Sequence, residues 1–409
     1  MDRNHAARRT GRHRRRPALL ILLVACSLLA LGLLAVPAPA AGQAQWTFVV
    51  YMSSDNDLGD WAALNIGWLV SAPPSPDVNV LVFHDPAGGP AQLLKVGGGL
   101  QTRLSGFALD GREVNMGDPA TLRAVVDYAA ARFPARHVLV DLWDHGDDFR
   151  GICYDYDTAG AGEFDILSHQ EIVGALAGRA VDVLAGDGCG IGTVETAYEY
   201  ASGGLTAAWF VASETYVPLD GFPYDRIAAD LVADPGMTPE GLARDIVRRY
   251  AEYYQGGWLT ELSAVRLAAV PAVGRELWDV TALLTRRMRA YRGLVSAGRG
   301  KATMGWSQYG WEAFVDFPTV FRVVHDRAPS GSRLEAETAD LLAALDRAVP
   351  YVGAGTPGEV WEFGGLAVFF PGSKGRFVHD TGLGGAAYPT MRFARDGWLD
   401  FLQAYYGKK

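Results

Sequence analysis

Two short stretches bring reactive side chains to the ends of apolar runs. In "HVLVDLWDHGDD" (137–148), a strand-like segment closes on His145 and Gly146. In "VDVLAGDGCG" (181–190), another closes on Asp187, Gly188, Cys189 and Gly190. A thiol at neutral pH is a weak nucleophile, and a neighbouring imidazole activates it by taking its proton. The resulting thiolate attacks a carbonyl carbon, and the imidazolium returns the proton to the leaving amine. The glycines flanking both residues leave the backbone open to a substrate. The amides of Gly146 and Cys189 are the natural donors for an oxyanion hole. The imidazole and thiol lie 44 residues apart, room for one strand and one helix between them. That is close to the spacing of about 50 residues between histidine and cysteine in caspases.

The elements around these stretches say how they could meet. "WTFVVYM" (46–52), "VNVLVFHD" (78–85), "HVLVDLW", "VDVLAG" and "AAWFVASE" (207–214) read as strands, several apolar on both faces. Helical periodicity separates them, as in "NMGDPATLRAVVDYAAARF" (115–133), where Asp118 is placed as N-cap with Pro119 at the first helical position. This alternation predicts an α/β fold with a mainly parallel sheet flanked by helices and a helix-rich C-terminal part. Catalytic groups then collect where the strands' carboxyl ends open into a crevice. Three segments are expected: 1–40 as a signal peptide or membrane anchor, 41–235 as the catalytic core, and 236–409 as helices and strands packed on that core. "GRELWDVTALLTRRMRAYRGLV" (274–295) reads as one helix.

The first sixteen residues hold seven Arg and one acid, followed by an uncharged apolar stretch ending in Ala38-Pro39-Ala40. That is the pattern of a secretory signal cleaved after Ala40. The 19-residue run from Ala18 to Val36 could also serve as an uncleaved anchor, and "LVAC" at Cys26 resembles a lipobox. All three alternatives place the body of the protein outside the cytoplasm, and a membrane enters only through this segment. The net charge is −9, and setting the first forty residues aside leaves −15 on the rest. Such a body repels nucleic acid and favours cationic partners. Beyond residue 40 only Cys153 and Cys189 remain, too few for a disulfide framework.

"WTFVVYMSSDNDL", "NMGDPATL", "LWDHGDD", "DGCGIGTVETAYEY", "ASE" and "DGFPY" together resemble, in that order, the clostripain family of cysteine peptidases. The later "LSAVRL" and "GGLAVFFPG" resemble its C-terminal half. The resemblance implies a caspase-like fold and an endopeptidase cutting after Arg, possibly Lys, with His145 as general base and Cys189 as nucleophile. It also implies that Asp187 receives the substrate's basic side chain, since the family places an aspartate two residues before its cysteine. Ser213 and Glu214, ending a neighbouring strand, could line the same cleft. This chain departs from the family in having Asp147-Asp148 where a glycine-rich run follows the histidine. It also has Gly188 where alanine is usual and Phe222 where tryptophan stands. Self-processing after a basic residue is common in the family, yet no Lys or Arg occurs from 151 to 178. Processing there is therefore expected to be absent or to fall at Arg150.

Other candidates carry less. Cys153 reads as structural, and His84 and His169 as surface or capping residues. No cofactor is required. Calcium is possible, since some family members depend on it and Asp155, Asp157, Glu163 and Asp165 cluster among glycines, but the EF-hand spacing is lacking. Two other classes stay open: a catalytically silent extracellular binding protein on this scaffold, and a metal-binding surface module using the acidic loop.

Overall fold

The computed structural model describes residues 43–158, 164–302, 313–355, 363–380 and 387–407. Residues 1–42, with all three alternatives for the N-terminal segment, lie outside these, as does Glu163. No described helix is long and apolar enough to cross a membrane.

The frame is a nine-stranded sheet. Its strands are β1 (Ala44–Ser54), β2 (Val78–Pro86), β3 (Gln92–Gly97), β4 (Leu100–Arg103), β5 (Ala135–Trp143), β9 (Val183–Asp187), β10 (Trp209–Ala212), β11 (Glu261–Arg266) and β13 (Tyr351–Ala354). They lie in the order β13-β11-β10-β9-β5-β1-β2-β3-β4. The central five, β10-β9-β5-β1-β2, run parallel, with antiparallel strands at both edges. From β1 the chain crosses to β2 on one side, and later fills β5, β9 and β10 on the other. The reversal leaves a crevice beyond the carboxyl ends of β1 and β5. Strands from both sides of residue 235 share this sheet.

The two-residue period of the strands divides the core. On β1, Val49 and Tyr51 face one layer, while Trp46, Phe48, Val50 and Met52 face the other. The second layer is closed by α1 (Gly59–Ser71), α5 (Tyr224–Ala233) and α6 (Pro239–Tyr253). The first is closed by α2 (Pro119–Arg132), α3 (His169–Leu176) and α4 (Val194–Gly203), joined by α7 (Val270–Arg286), α8 (Met288–Lys301), α9 (Phe317–Asp326) and α10 (Arg333–Ala348). Asp118 caps α2 through Ala120 N–H at 2.8 Å, as the sequence predicts. The helix expected over 274–295 is two, α7 and α8, because Arg287 leaves helical geometry at φ −122°, ψ 30°.

Two small sheets complete the site's surroundings. β6 (Gly146–Asp147), β7 (Gly151–Asp155) and β8 (Asp165–Ser168) form an antiparallel layer after the histidine. β12 (Phe314–Asp316) pairs with β14 (Ala367–Phe369).

Candidate active site

His145 follows β5, and Cys189 follows the adjacent parallel strand β9. The ladder continues past the strand ends, where Asp144 N–H donates to Asp187 C=O at 3.2 Å. The two loops touch through their backbones. A Cβ on Gly146 would stand 2.3 Å from Cys189 O, and one on Gly188 would stand 2.7 Å from Asp144 O. Only glycine permits this approach. His145, Cys189, Asp187 and Glu214 line one cavity of about 150 Å³, walled by Trp143, Tyr216, Val217, Leu219 and Phe314. No backbone carbonyl among the described residues accepts from Cys189 N–H, which leaves that amide for an oxyanion. Thr193 caps α4 by accepting from Thr196 N–H, so the helix's positive end lies a few residues beyond the thiol.

The resting thiol is engaged elsewhere. Its Sγ accepts from Val217 N–H at 3.4 Å and donates to Val217 C=O at 3.7 Å. Burial pushes its pKa up to about 11, so the sulfur is protonated at neutral pH. His145 Nε2 is 2.9 Å from the exposed Asp57 carboxylate. The hydrogen bond from His145 is the main cause lowering the pKa of Asp57. Next to it, Asn56 holds the other side of the loop by donating to Asp144 Oδ1 at 2.8 Å and to Tyr154 C=O at 3.2 Å. The sequence reading missed Asp57 because it follows β1, and only the strand order brings β1 beside β5.

Asp187 sits at the base of the cavity. Its Oδ2 accepts from Phe222 N–H at 2.8 Å and from Tyr224 hydroxyl at 2.9 Å, while Oδ1 has no partner. Gly221, at φ +66°, lets the chain come this close, since a Cβ there would lie 2.5 Å from Asp187 Oδ2. Burial raises the Asp187 pKa. Phe222 is buried and contributes its amide, a role open to either aromatic residue.

The other expected positions divide. Glu214 reaches the cavity wall, but its carboxylate accepts from Gly365 N–H at 3.1 Å and packs with the buried Glu261 and Asp316. Ser213 does not line the cavity. Its hydroxyl turns into the fold and bonds the backbone of Thr215 at 3.1 and 3.2 Å. His169 is not a surface residue either. It is fully buried, with Nδ1 2.7 Å from Tyr200 hydroxyl and Nε2 2.8 Å from Asp148 C=O, and so ties down the loop after His145. His84 is half-buried, its Nε2 2.8 Å from Ser54 Oγ.

Cys153 is buried at a bulge of β7, and neither it nor Cys189 is in a disulfide. Asp155 accepts from Met116 N–H, and Asp165 from Asn115, both at 2.8 Å. Among the described residues no three His, Cys, Asp or Glu side chains are arranged to hold a metal ion. Arg150 sits in the turn between β6 and β7, paired with Asp147 at 2.9 Å, and the following Gly151 is buried against Leu167.

Comparisons with known proteins agree with this geometry. The sequence profile of the clostripain family matches residues 50–305. Clostripain from Hathewaya histolytica is 36% identical over 141 residues, which is 31% of this chain and 27% of clostripain's length. The fold is similar to that of an inactive zymogen C11 protease from Parabacteroides distasonis, with a TM-score of 0.62 at 18% identity over 88% of this chain and 99% of the other. It is also similar to that of a secreted C11 cysteine protease from Bacteroides thetaiotaomicron solved with an irreversible peptide inhibitor, with a TM-score of 0.61 at 16% identity over 87% and 99%. With the profile covering more than half of its length and a caspase-like sheet presenting histidine and cysteine at one rim, the chain belongs to the clostripain family of cysteine peptidases.

Proposed function

We propose that this protein is an extracytoplasmic cysteine endopeptidase that cuts peptide bonds after Arg, with Lys as the second choice, and has His145 and Cys189 as its dyad. The observation that carries the reading is the single cavity shared by the imidazole, the thiol and a buried carboxylate with an unpartnered oxygen. A substrate's basic side chain would enter towards Asp187 and pair with Oδ1 by a charge-assisted hydrogen bond. The scissile carbonyl would then lie over Sγ, with its oxygen towards the amides of Gly146 and Cys189. Approach of the carbonyl displaces the thiol from Val217, His145 takes the proton, and the thiolate attacks. The imidazolium next protonates the leaving amine, and water, deprotonated by the same imidazole, releases the acyl group.

The basic N-terminal residues followed by an apolar run support export of the body, and the acid-rich body suits cationic substrates. Calcium is proposed only as a modulator, tested by adding it to or chelating it from the assay.

The test is a fluorogenic peptide panel varying the residue before the cut, with labelling by an arginyl chloromethyl ketone. Cleavage and labelling are expected for Arg, and Cys189→Ala should abolish both. His145→Ala should lower kcat by about a thousandfold or more. An intact fold that neither cleaves nor labels would instead identify a silent binding protein.

A further inference from the structure

Beneath Asp187 lies a second carboxyl group that the proposed reaction does not use. Asp141, two residues before the end of β5, is 1% exposed and reaches Tyr224 hydroxyl at 2.5 Å through Oδ2. The same hydroxyl contacts Asp187 Oδ2 at 2.9 Å. A phenol has one proton to donate, so it cannot satisfy two ionised carboxylates at these distances. A second proton must lie between them. Each carboxyl has a backbone amide near it besides Tyr224, Phe222 N–H at 2.8 Å for Asp187 and Asp187 N–H for Asp141, but Asp187 borders the cavity and Asp141 is deeper. The negative charge therefore settles on Asp187 and the proton on Asp141. Burial raises the pKa of both groups.

We propose that Asp141 is a positioning residue for the basic-side-chain pocket. As a neutral acid it donates to Tyr224, which donates to Asp187, so that the pair presents one negative charge at the cavity. This rests on reading that pocket as the receptor for Arg or Lys. The titratable neighbours are His145, Asp148, Cys189 and Glu214, which line the cavity with Asp187, Cys153 close to Asp141 and Asp144, Tyr250 on α6 and Tyr254 just past its end. Among the described residues no Lys or Arg lines the cavity, so with the His145 imidazole neutral the charge that balances Asp187 comes with the ligand. When pH rises far enough to ionise Asp141 too, the pocket gains a second negative charge and holds a cation more tightly.

Benzamidine binding to the full chain carrying Cys189→Ala and His145→Ala isolates the pocket from the chemistry and from the imidazole in the same cavity. Calorimetry between about pH 6 and about pH 9, in buffers of different ionisation enthalpy, reads affinity and proton release together. Affinity should rise in two steps, first as Asp187 ionises and then as Asp141 does, with proton release persisting above neutrality. Adding Asp141→Asn, whose amide still donates to Tyr224, should keep neutral-pH affinity within about threefold and remove the upper step. Adding Tyr224→Phe should weaken neutral-pH binding about tenfold. A single-step profile for the parent, or the same profile with and without Asp141→Asn, overturns the relay while leaving the basic pocket intact. No benzamidine binding to the parent at any pH overturns both.

Discussion

At the scale of single residues, the imidazole is contacted by a group from the loop after a different strand. Asp57 contacts His145 Nε2, but its carboxylate is 73% exposed and its pull is screened by solvent. Asp57→Ala should therefore lower kcat by only about threefold to tenfold, leave KM nearly unchanged, and matter less at high salt. Steady-state kinetics at two ionic strengths check this; an unchanged kcat at low salt would remove Asp57 from the mechanism. His145, Cys189 and Asp187 were legible because each reveals itself locally, as a reactive side chain closing an apolar run. Asp57, Asp141 and Tyr224 were not, because their roles depend on which strand lies beside which. Ser213 illustrates another limit. β10 ends at Ala212, so both residues lie in the loop beyond it, whose path turns Glu214 to the cavity and Ser213 into the fold.

At the scale of elements, the site depends on two loops packed backbone to backbone. The family's usual alanine before the nucleophile looks like a harmless exchange for Gly188, but the structure gives glycine a specific task. A Cβ there would meet Asp144 O at 2.7 Å and Ile152 Cδ1 at 2.9 Å. Gly188→Ala should push the His145 loop away from Cys189, lowering kcat/KM about tenfold or more and stability by about 1–3 kcal/mol. Kinetics and thermal melting measure the two effects; a variant matching the parent in both would show that the loop yields freely. The strands and most helices were legible from periodicity and caps, Asp118-Pro119 being the clearest. The break at Arg287 was not, because "LLTRRMRAYRGL" has no proline or glycine at the break, and packing decides where the chain turns.

At the scale of the whole molecule, many acids are buried, and of Asp85, Asp144, Asp148, Glu195 and Glu214 only Asp148 has a cation among the described residues, Arg150, near enough to offset the burial. Burial raises the pKa of Asp85 to about 8 and of Glu195 to about 7, and also raises those of Asp144, Asp148 and Glu214. Folded-state values above the unfolded ones mean that the native state binds more protons. The stability from these groups is present below their ordinary carboxylate range and is lost as pH rises through neutrality towards about 8. The melting temperature should thus be higher near pH 6 than near pH 9. A melting curve flat across that interval would mean that these carboxyls ionise in place at little cost.

The clasp of Val217 on the Cys189 sulfur has a consequence if the chain acts as proposed, outside the cytoplasm. Oxidants and alkylators attack thiolates far faster than thiols, so a capped sulfur weathers them until a fitting peptide arrives. Iodoacetamide should inactivate the idle enzyme slowly, and an arginyl chloromethyl ketone quickly, because only the latter brings the key that uncaps the sulfur. Equal rates for the two reagents would mean the sulfur was never sheltered.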